Sequence, residues 1–330
     1  MNFTRLLKRY KEIRDIYIPK ASAAKKGWLV IDYIGAYIRH GVSFNDYFGY
    51  RFNSLNGNGR KEYITLRHTR KIQRICNNPH AIDNFRDKIK FNTIYAEFLG
   101  RKWIDVNNAT LEDFKRFLED VGPAVFIKDV NGLCGIGIEK RSTTEINPEI
   151  LYNQLRSNSD ARFIIEQPIT QTGPVAELHP WSVNTIRITT VYDTTHDKVN
   201  IMGAVLRIGV GKDPRDNLHA GGVAAHIDID SGMICAPAFD KTNHTYLCHP
   251  DTGKRLLGFK IPDWEACKRF IINVARRSPD VRYVGWDVVV KGDGAFLLIE
   301  GNDNGDHDVQ QLNFHGLWPN YQRVLLEMQK

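Results

Sequence analysis

Long hydrophobic runs are missing from this 330-residue sequence. The best candidate, residues 28–38, carries Asp32 and falls short of the roughly 20 apolar residues that a membrane-spanning helix needs. The basic N-terminus is not followed by the apolar stretch of a signal peptide. We therefore expect a cytoplasmic protein with neither a membrane span nor a cleaved leader.

Cysteine is scarce as well. The five cysteines are odd in number, and no two of them form a CxxC pair. His244, Cys248 and His249 lie close together, but their spacing matches no common zinc site. These observations argue against a disulfide-bonded secreted domain and favour reduced thiols in a cytoplasmic protein.

Charge is distributed unevenly along the chain, and nucleic-acid-binding motifs are absent. Residues 1–90 contain 19 Lys and Arg against 7 Asp and Glu, whereas the remaining residues contain 26 against 31. A basic front indicates either a solvated helical surface or an anionic partner, such as a membrane surface, a lipid-linked sugar phosphate or a nucleic acid. Because no zinc finger or RNA-recognition motif accompanies these charges, we expect no specific nucleic-acid partner.

Residues 1–77 have the pattern of a basic, mostly helical region. Apolar residues recur at helical spacing among basic ones near the N-terminus, at Phe3, Leu6, Leu7, Tyr10 and Ile13. Such a basic amphipathic helix either packs on its own domain or makes a peripheral contact with an anionic membrane, here the inner face. Residues 27–40 and 65–77 also show a helical pattern.

Helical and strand patterns are mixed from about residue 78 onward. The predicted helices are 84–99, 110–120, 147–156 and 263–277. The predicted strands are 124–129, 136–139, 163–166, 184–192, 199–208 and 221–229. This order predicts an α+β fold with two lobes, residues 78–170 and 171–330, and it does not fit a Rossmann domain.

A β-hairpin near the end of the chain is the most informative segment. Residues 286–290 and 295–299 are strand-like, and the sequence Lys-Gly-Asp-Gly makes the turn between them. This pairing places Asp287 and Glu300 near one end of adjacent strands, with Asn302 just beyond. Two carboxylates and an amide oxygen suit Mg²⁺, which commonly accompanies a nucleotide phosphate. The alternative is a pair of solvated acidic residues at a hairpin end.

A glycine-rich loop at residues 131–137 follows the predicted strand that contains Lys128. Its glycines, Gly132, Gly135 and Gly137, would let backbone N–H groups approach phosphate oxygens, and a lysine supplies positive charge. The loop is not a Walker A motif, because no GK[ST] follows and the next element is a strand. The alternative is an ordinary turn.

Two further segments have functional as well as ordinary interpretations. Residues 163–169 form a strand whose end could offer backbone groups to an adenine while Glu166 accepts from its amino group. Residues 207–222 form a basic loop between strands, and arginine side chains there suit carboxylate or phosphate recognition. That loop contains Arg207, Lys212, Arg215, Asn217 and His219. The alternatives are a plain strand end and a flexible basic hairpin.

Taken in order, these segments resemble the ATP-grasp superfamily over about residues 78–318. The first segment is a helix that carries a lysine directly after Asp87, and the second is the strand of Lys128 with its glycine loop. The third is the possible adenine-binding segment at residues 166–169, and the last is the final hairpin with its candidate metal ligands. The stretch NLHAGG is similar to that of glutamate-ligase-type members, whose loop reads NLH-x-GG. The segments SVNTIRI, GWDV and IEGN-x-x-GD resemble those of the sugar-transfer-associated ATP-grasp proteins found with polysaccharide genes. The first 75 residues depart from the usual α/β pre-domain.

The resemblance implies a fold of two α+β lobes that clasp ATP, and a role for each matching residue. Lys88 and Lys128 would hold the ATP phosphates beneath the glycine loop. Glu166, with the backbone of Gln167 and Ile169, would bind adenine. The implied ligands of two Mg²⁺ ions are Asp287, Glu300 and Asn302. The groups implied to neutralise the transferred phosphoryl group and its carboxylate acceptor are Arg187, Arg207, Arg215 and Asn217, with His219 assisting proton removal.

The implied activity is that of an ATP-dependent carboxylate–amine ligase. The substrates would be a small-molecule carboxylate and an amine. They would be either sugar-linked compounds of polysaccharide or cell-surface precursor biosynthesis or amino-acid-like compounds. An ATP-grasp kinase that phosphorylates a sugar or polyol hydroxyl remains the alternative. A non-catalytic module that binds an anionic surface leaves the carboxylate set unexplained.

Overall fold

The structure, a computed structural model, describes residues 3–132, 138–159, 161–305 and 307–330. Its N-terminal part is helical, as the sequence predicts. The helices are α1 Phe3–Tyr17, α2 Ala23–His40, α3 Phe44–Gly49, α4 Gly57–Lys61 and α5 Leu66–Cys76. The Ser22 side chain accepts from the Lys25 N–H at the start of α2, and Gly41 ends this helix with a left-handed φ of 67°.

Helix α1 packs on its own domain. Tyr10 is 4% exposed, and its ring lies 5.4 Å from that of Phe44 and 5.6 Å from that of Phe48. The apolar side of α1 thereby contributes to a core with α2 and α3. Of the two interpretations of this amphipathic helix, packing within the domain is the one that the structure shows.

The predicted single helix 84–99 is wrong. Three short helices take its place, α6 Asp83–Arg86, α7 Lys88–Ile94 and α8 Ala96–Leu99. Asp87 adopts an extended conformation (φ −87°, ψ 109°) and its side chain accepts from the N–H groups of Ile89 and Lys90. An aspartate that caps the next helix competes with continuation of the previous one, and this competition is the reason for the break. Gly100 ends α8 with a φ of 57°, as predicted.

A four-stranded antiparallel sheet forms the smaller lobe, in the order β1-β4-β2-β3. Its elements are β1 Trp103–Asp105, α9 Leu111–Asp120, β2 Ala124–Asp129, β3 Ile138–Ser142, α10 Pro148–Arg156 and β4 Phe163–Glu166. Strands β2 and β4 have the predicted bounds, and β3 begins at the first described residue after the glycine loop. Helices α9 and α10 pack on one side of the sheet, around Phe114 and Leu151. The other side is left for the cleft.

A seven-stranded antiparallel sheet forms the larger lobe, in the order β11-β10-β5-β6-β7-β8-β9. Its strands are β5 Thr185–Asp193, β6 Lys198–Ile208, β7 Val223–Ile227, β8 Ala238–Phe239, β9 Thr245–Tyr246, β10 Tyr283–Val290 and β11 Phe296–Asn302. The accompanying helices are α11 Trp264–Arg276, α12 His307–Gln311 and α13 Trp318–Glu327. The predicted strands and the 263–277 helix are confirmed to within a few residues. Together the two lobes confirm the α+β prediction.

The large sheet has one apolar and one polar face because its central strands alternate. In β5, Ile186 and Ile188 point into the main hydrophobic core, which includes Trp286 and helix α11. Thr185, Arg187 and Thr189 point to the opposite face. Residues paired across antiparallel strands share a face, so the register carries this polar face into the neighbouring strands.

The N-terminal helices cover part of that polar face. Their core includes Val205 and Ala224, which pair with Arg187 and Arg207 in the sheet. It also includes Leu218 from the basic loop. The N-terminal region therefore forms a wall beside the polar residues of the sheet. None of the described helices is long and apolar enough to cross a membrane.

Candidate functional site

Asp287 and Glu300 are paired directly across the final hairpin, as the sequence predicts. The ladder has a bulge just after Asp287, which leaves Ile299 without a partner in β10. Asn302 lies two residues beyond Glu300, and its Nδ2 is 3.3 Å from Glu300 Oε1. The three predicted metal ligands therefore lie together on the polar face.

Two arginines hold the Asp287 carboxylate. Arg187 Nε donates to Oδ1 at 2.5 Å and its Nη2 to Oδ2 at 3.1 Å, while Arg207 Nη2 donates to Oδ2 at 2.8 Å. Burial alone would raise the pKa of Asp287, but the two guanidinium groups outweigh it and lower the pKa to about 2. Asp287 is therefore ionised under all physiological conditions.

Glu300 has the opposite electrostatic environment. Its side chain is exposed to the cleft, yet protein surrounds it closely enough that desolvation raises its pKa, and the charge of Asp287 raises it further. Within the described residues, the Glu300 carboxylate accepts a hydrogen bond from the Asn302 side-chain amide. Burial and a neighbouring negative charge both disfavour the ionised form of this carboxyl group. A bound cation would stabilise that form, so the site favours cation binding.

Arg207 connects the hairpin to the basic loop. Its Nε and Nη2 lie 3.0 and 2.6 Å from Thr185 Oγ1, and its Nε lies 3.5 Å from Asp216 Oδ2. Asp216 also accepts hydrogen bonds from the Thr185 N–H at 3.0 Å and from the Thr185 hydroxyl. Asp216 is only 9% exposed, and desolvation raises its pKa. A buried network thus fixes the direction of Arg207.

Lys128 and Glu166 form an ion pair on the cleft side of the small sheet. Lys128 Nζ lies 2.5 Å from Glu166 Oε2, and Glu166 Oε1 accepts from Arg101 Nη2 at 3.1 Å and Asn92 Nδ2 at 2.7 Å. Burial would raise the pKa of Glu166, but Lys128 and Arg101 hold it well below the ordinary value. This carboxylate is therefore permanently charged and already has three donors.

Lys88 lies at the first position of α7 and contacts the start of the glycine loop. Its Nζ donates to the carbonyl of Gly132 at 2.5 Å and to that of Val130 at 3.2 Å. Burial lowers the pKa of Lys88, and among nearby charges Glu300 opposes this shift most. The lysine of the helix, the loop and the metal hairpin therefore meet in one cleft.

Comparison with known proteins identifies the family. The model of the sugar-transfer associated ATP-grasp family matches residues 67–325. The chain belongs to this family. The ATP-grasp prediction is thereby confirmed for family and fold, and the match begins eleven residues before the 78–318 span of the sequence motifs. No curated protein matches the chain in sequence.

Solved structures of ATP-grasp ligases resemble this chain distantly. The ligase PsnB, complexed with a phosphomimetic variant of its minimal precursor, Mg and ADP, is 16% identical with a TM-score of 0.44. D-alanyl-alanine synthetase A from Vibrio cholerae is 12% identical (TM-score 0.46), and L-amino acid ligase from Bacillus licheniformis is 14% identical (TM-score 0.43). These matches cover 77%, 77% and 74% of this chain and 62%, 67% and 48% of the other chains. This chain thus spans about three fifths of PsnB, and the residue roles below rest on its own geometry.

The residues of this ATP-grasp protein that the sequence predicts to bind adenine lie at the end of β4 and directly after it. The Gln167 N–H donates to the Lys102 carbonyl at 2.9 Å, and its side chain bonds to Lys102 and Val121. In the described part of the chain, no protein hydrogen bond is made by the Gln167 carbonyl or the Ile169 N–H. These two backbone groups are the ones left to a nucleotide base.

The predicted residue Arg215 is not brought into the cluster around Asp287. Arg215 lies on the surface of its loop and pairs with Asp213 at 2.7 Å. The Asn217 carbonyl accepts from Ala220 and Gly222 and closes the turn of this loop. His219 lies in a 3₁₀ turn, but its side chain is outside the described part of the structure. Gly135 and Gly137 also lie outside the described residues.

Sequence reasoning missed four polar side chains of this ATP-grasp site. They are Asn92, Arg101, Thr185 and Asp216. Asp216 and Thr185 lie in segments that the sequence motifs include. The strand alternation of Thr185, Ile186 and Arg187 is the signal that could have placed Thr185 on the same face as Arg187. Asn92 and Arg101 lie in a helical segment and after a helix-ending glycine, where no local signal separates them from ordinary surface residues.

The metal prediction fits the residues that are present. No group of three or more His, Cys, Asp or Glu side chains that could hold a metal ion occurs within the described ranges. The hairpin offers two carboxylates rather than three. Mg²⁺ there would use Asp287, Glu300 and the Asn302 amide oxygen, and phosphate or water oxygens would complete its coordination shell. The pairing of two carboxylates across the hairpin favours a cation there, and the raised pKa of Glu300 next to the charge of Asp287 agrees with this.

Proposed function

We propose that this protein is an ATP-dependent carboxylate–amine ligase that acts in polysaccharide or cell-surface precursor biosynthesis. The observation that supports this most directly is that Lys128 pairs with Glu166, which Arg101 joins to the Leu298 and Ile299 carbonyls beside Glu300, while Lys88 contacts the loop that follows Lys128. The ammonium groups of Lys88 and Lys128 face the cleft in which Glu300 would hold Mg²⁺. Negatively charged phosphate groups would therefore lie between the two lysines and the metal ion. The description of the family as sugar-transfer associated supports the biosynthetic setting.

The nucleotide would lie along the cleft side of the small sheet. Its adenine would accept from the Ile169 N–H and donate to the Gln167 carbonyl. Because the Glu166 carboxylate already has three donors, its main role in this proposal is to hold Lys128 in place. Lys128 and Lys88 would then contact the phosphates beneath the loop that begins at Gly132.

The γ-phosphate would lie at the metal hairpin. Bound Mg²⁺, at one or two positions, would neutralise phosphate charge and orient the phosphates for transfer. Asp287 is fixed by Arg187 and Arg207, so its direction is set before a metal arrives. Glu300 is exposed to the cleft and has room to adjust to the ion.

The acceptor carboxylate would bind beside Arg207 and the basic loop. One of its oxygens attacks the γ-phosphorus, the bond to the β,γ-bridging oxygen breaks, and ADP leaves together with the electron pair of that bond. An amine then attacks the acylphosphate carbon, phosphate leaves, and the amine proton passes to a base, for which His219 is the candidate. The protein's part is positioning and charge neutralisation, as in other phosphoryl transfers.

The experiment is an ATP-turnover screen of the full chain with pooled carboxylates, amines and nucleotide sugars. The proposal predicts ADP and free phosphate in equal amounts, released only when a carboxylate and an amine are both present. ADP release with a hydroxyl acceptor, without free phosphate, would instead establish the kinase alternative. No turnover with any pool, in a protein that binds ATP and Mg²⁺, would contradict both.

A further inference from the structure

Helix α2 has apolar side chains on both of its faces. Leu29 and Ala36 are buried on the inner face, within the N-terminal core. The outer face presents a stripe of apolar side chains that are 43–73% exposed, namely Trp28, Ile31, Ile34, Tyr37 and Ile38. Gly27 and Gly35 lie on the same stripe, with open space beyond each. A contiguous apolar stripe on a protein surface marks an interaction site.

Exposed cations surround this stripe. The Lys25 ammonium lies 4.0 Å from the ring centre of Trp28. A groove of about 500 Å³ separates the end of α2, at Tyr37 and Ile38, from α5. Four basic side chains of α5 line this groove and are exposed, namely Arg67, Arg70, Lys71 and Arg74. Apolar and cationic side chains are thus adjacent on one surface.

Acidic side chains do not oppose these charges on the two helices. Helix α5 has none in its sequence, and α2 has only Asp32. Asp32 is turned inward, where Arg60 binds both of its oxygens at 2.8–3.0 Å and the Tyr47 hydroxyl donates to it. The two helices therefore present positive charge on this surface without an opposing carboxylate of their own.

We propose that the outer face of α2 and the basic groove beside it form a docking surface for a bilayer with anionic headgroups. Interfacial helices bury an apolar face at the boundary of headgroups and acyl chains while flanking cations contact the lipid phosphates. A second copy of the chain would bring like charges together around the same stripe, and a nucleic acid would leave the isoleucines exposed. This surface differs from the amphipathic face of α1, which is packed inside the domain.

The experiment measures co-sedimentation of the full chain with vesicles. One set contains phosphatidylcholine alone, and the other contains phosphatidylcholine mixed with phosphatidylglycerol. We expect binding to the anionic vesicles that weakens as salt concentration rises, because salt screens the headgroup charge. Sedimentation with neither set, or equally with both, would contradict the proposal.

Two double variants test the two parts of the surface. Ile31→Ser with Ile34→Ser should weaken vesicle binding roughly tenfold or more, because two apolar side chains no longer enter the interface. Arg70→Gln with Arg74→Gln should weaken it roughly fivefold per charge removed. All four side chains are exposed, so thermal unfolding should be unchanged, and this measurement excludes misfolding as the cause.

Matched controls come from the smaller lobe. Ile150, 65% exposed on α10, is changed to Ser, and Arg116, whose side chain is 77% exposed on α9, is changed to Gln. Both controls should bind anionic vesicles like the original protein.

Light scattering without lipid tests whether the stripe instead joins two copies of the chain. A dimer that Ile31→Ser dissociates would show that it does, and the bilayer proposal would be wrong. Substrate-dependent ATP turnover in solution should not change, so this test is independent of the proposed ligase activity.

Discussion

The two hairpin carboxylates are chemically alike but differ in their surroundings. Asp287 is buried and has three hydrogen bonds from two arginines, whereas Glu300 faces the cleft and bonds to an amide. Their pKa shifts have opposite directions for this reason. Removing each charge should therefore have different consequences for stability.

Asp287→Asn should lower the free energy of unfolding by about 3 kcal/mol or more, because Arg187 and Arg207 lose a buried partner. Glu300→Gln should leave stability unchanged or raise it, because it removes a like charge next to Asp287. Both variants should lose ATP turnover if the hairpin binds Mg²⁺. Urea unfolding and ADP release measure the two effects, and a fully active Glu300→Gln protein would contradict the metal assignment.

The charge of Glu166 makes stability depend on pH. Lys128 and Arg101 hold its folded-state pKa well below the ordinary value of 4.5, so the folded protein binds this proton more weakly than the unfolded chain does. The stability that the charge provides is present above pH 4.5 and is lost as pH falls below it. Glu166→Gln should thus lower stability at pH 7 and reduce the loss of stability as pH falls below 4.5. Glu149→Gln, an exposed partner of Lys115 in the same lobe, serves as the control; an equal effect there would argue against a special role for Glu166.

At the scale of single elements, the Asp87 cap positions Lys88. The cap fixes where α7 begins, and Arg162 pairs with the same carboxylate. Lys88 is the first residue of that helix, so its direction toward Gly132 depends on the cap.

Asp87→Ala should therefore lower stability by about 1 kcal/mol and also weaken ATP binding. Thr110→Ala is the matched control, because Thr110 caps α9 in the same lobe through the Asp113 N–H. It should cost a similar amount of stability and leave ATP affinity unchanged. Unfolding curves and ATP titrations distinguish the two variants; equal loss of ATP affinity in both would show that the effect is not local to Lys88.

The elements that the sequence predicts best are those whose local pattern and tertiary environment agree. Strand β4 and the hairpin of β10 and β11 have apolar runs that end at a turn or a proline. The bounds of β4 match the prediction, and the two hairpin strands each extend three residues further at the end away from the turn. The 84–99 segment has a helical pattern throughout, but a single side chain, Asp87, redirects the backbone. The pairing of Asp287 with Glu300 was predictable because the turn of the hairpin fixes the register of its strands. Arg101 and Asn92 were not, because their contacts with Glu166 join segments 65 and 74 residues apart.

At the scale of the whole molecule, Arg101 joins the two lobes. Its Nη1 donates to the Leu298 carbonyl at 2.7 Å and its Nη2 to the Ile299 carbonyl at 3.1 Å, while the same Nη2 reaches Glu166. One buried guanidinium thus links the hairpin of β10 and β11 in the larger lobe to strand β4 of the smaller one.

Arg101→Met should lower the free energy of unfolding by about 3–5 kcal/mol and weaken ATP binding, because Glu166 and two carbonyls lose their partner. Lys102→Met is the adjacent control. Lys102 pairs with Asp120 at the surface, and its loss should change stability by less than about 1 kcal/mol. Urea unfolding and ATP titration of both variants check this, and similar values for the two would contradict the proposed link.

The contacts of Arg101 also affect one edge of the large sheet. Strand β11 is an edge strand, and the two carbonyls that Arg101 occupies lie at its bulge. The opposite edge, β9, has only two residues, Thr245 and Tyr246. Open edge strands are templates for pairing with another chain, and short strands, bulges and basic side chains oppose this. The guanidinium that joins the lobes therefore also occupies two carbonyl groups of this edge strand, and its loss would leave them able to pair with another chain, which would favour aggregation as well as unfolding.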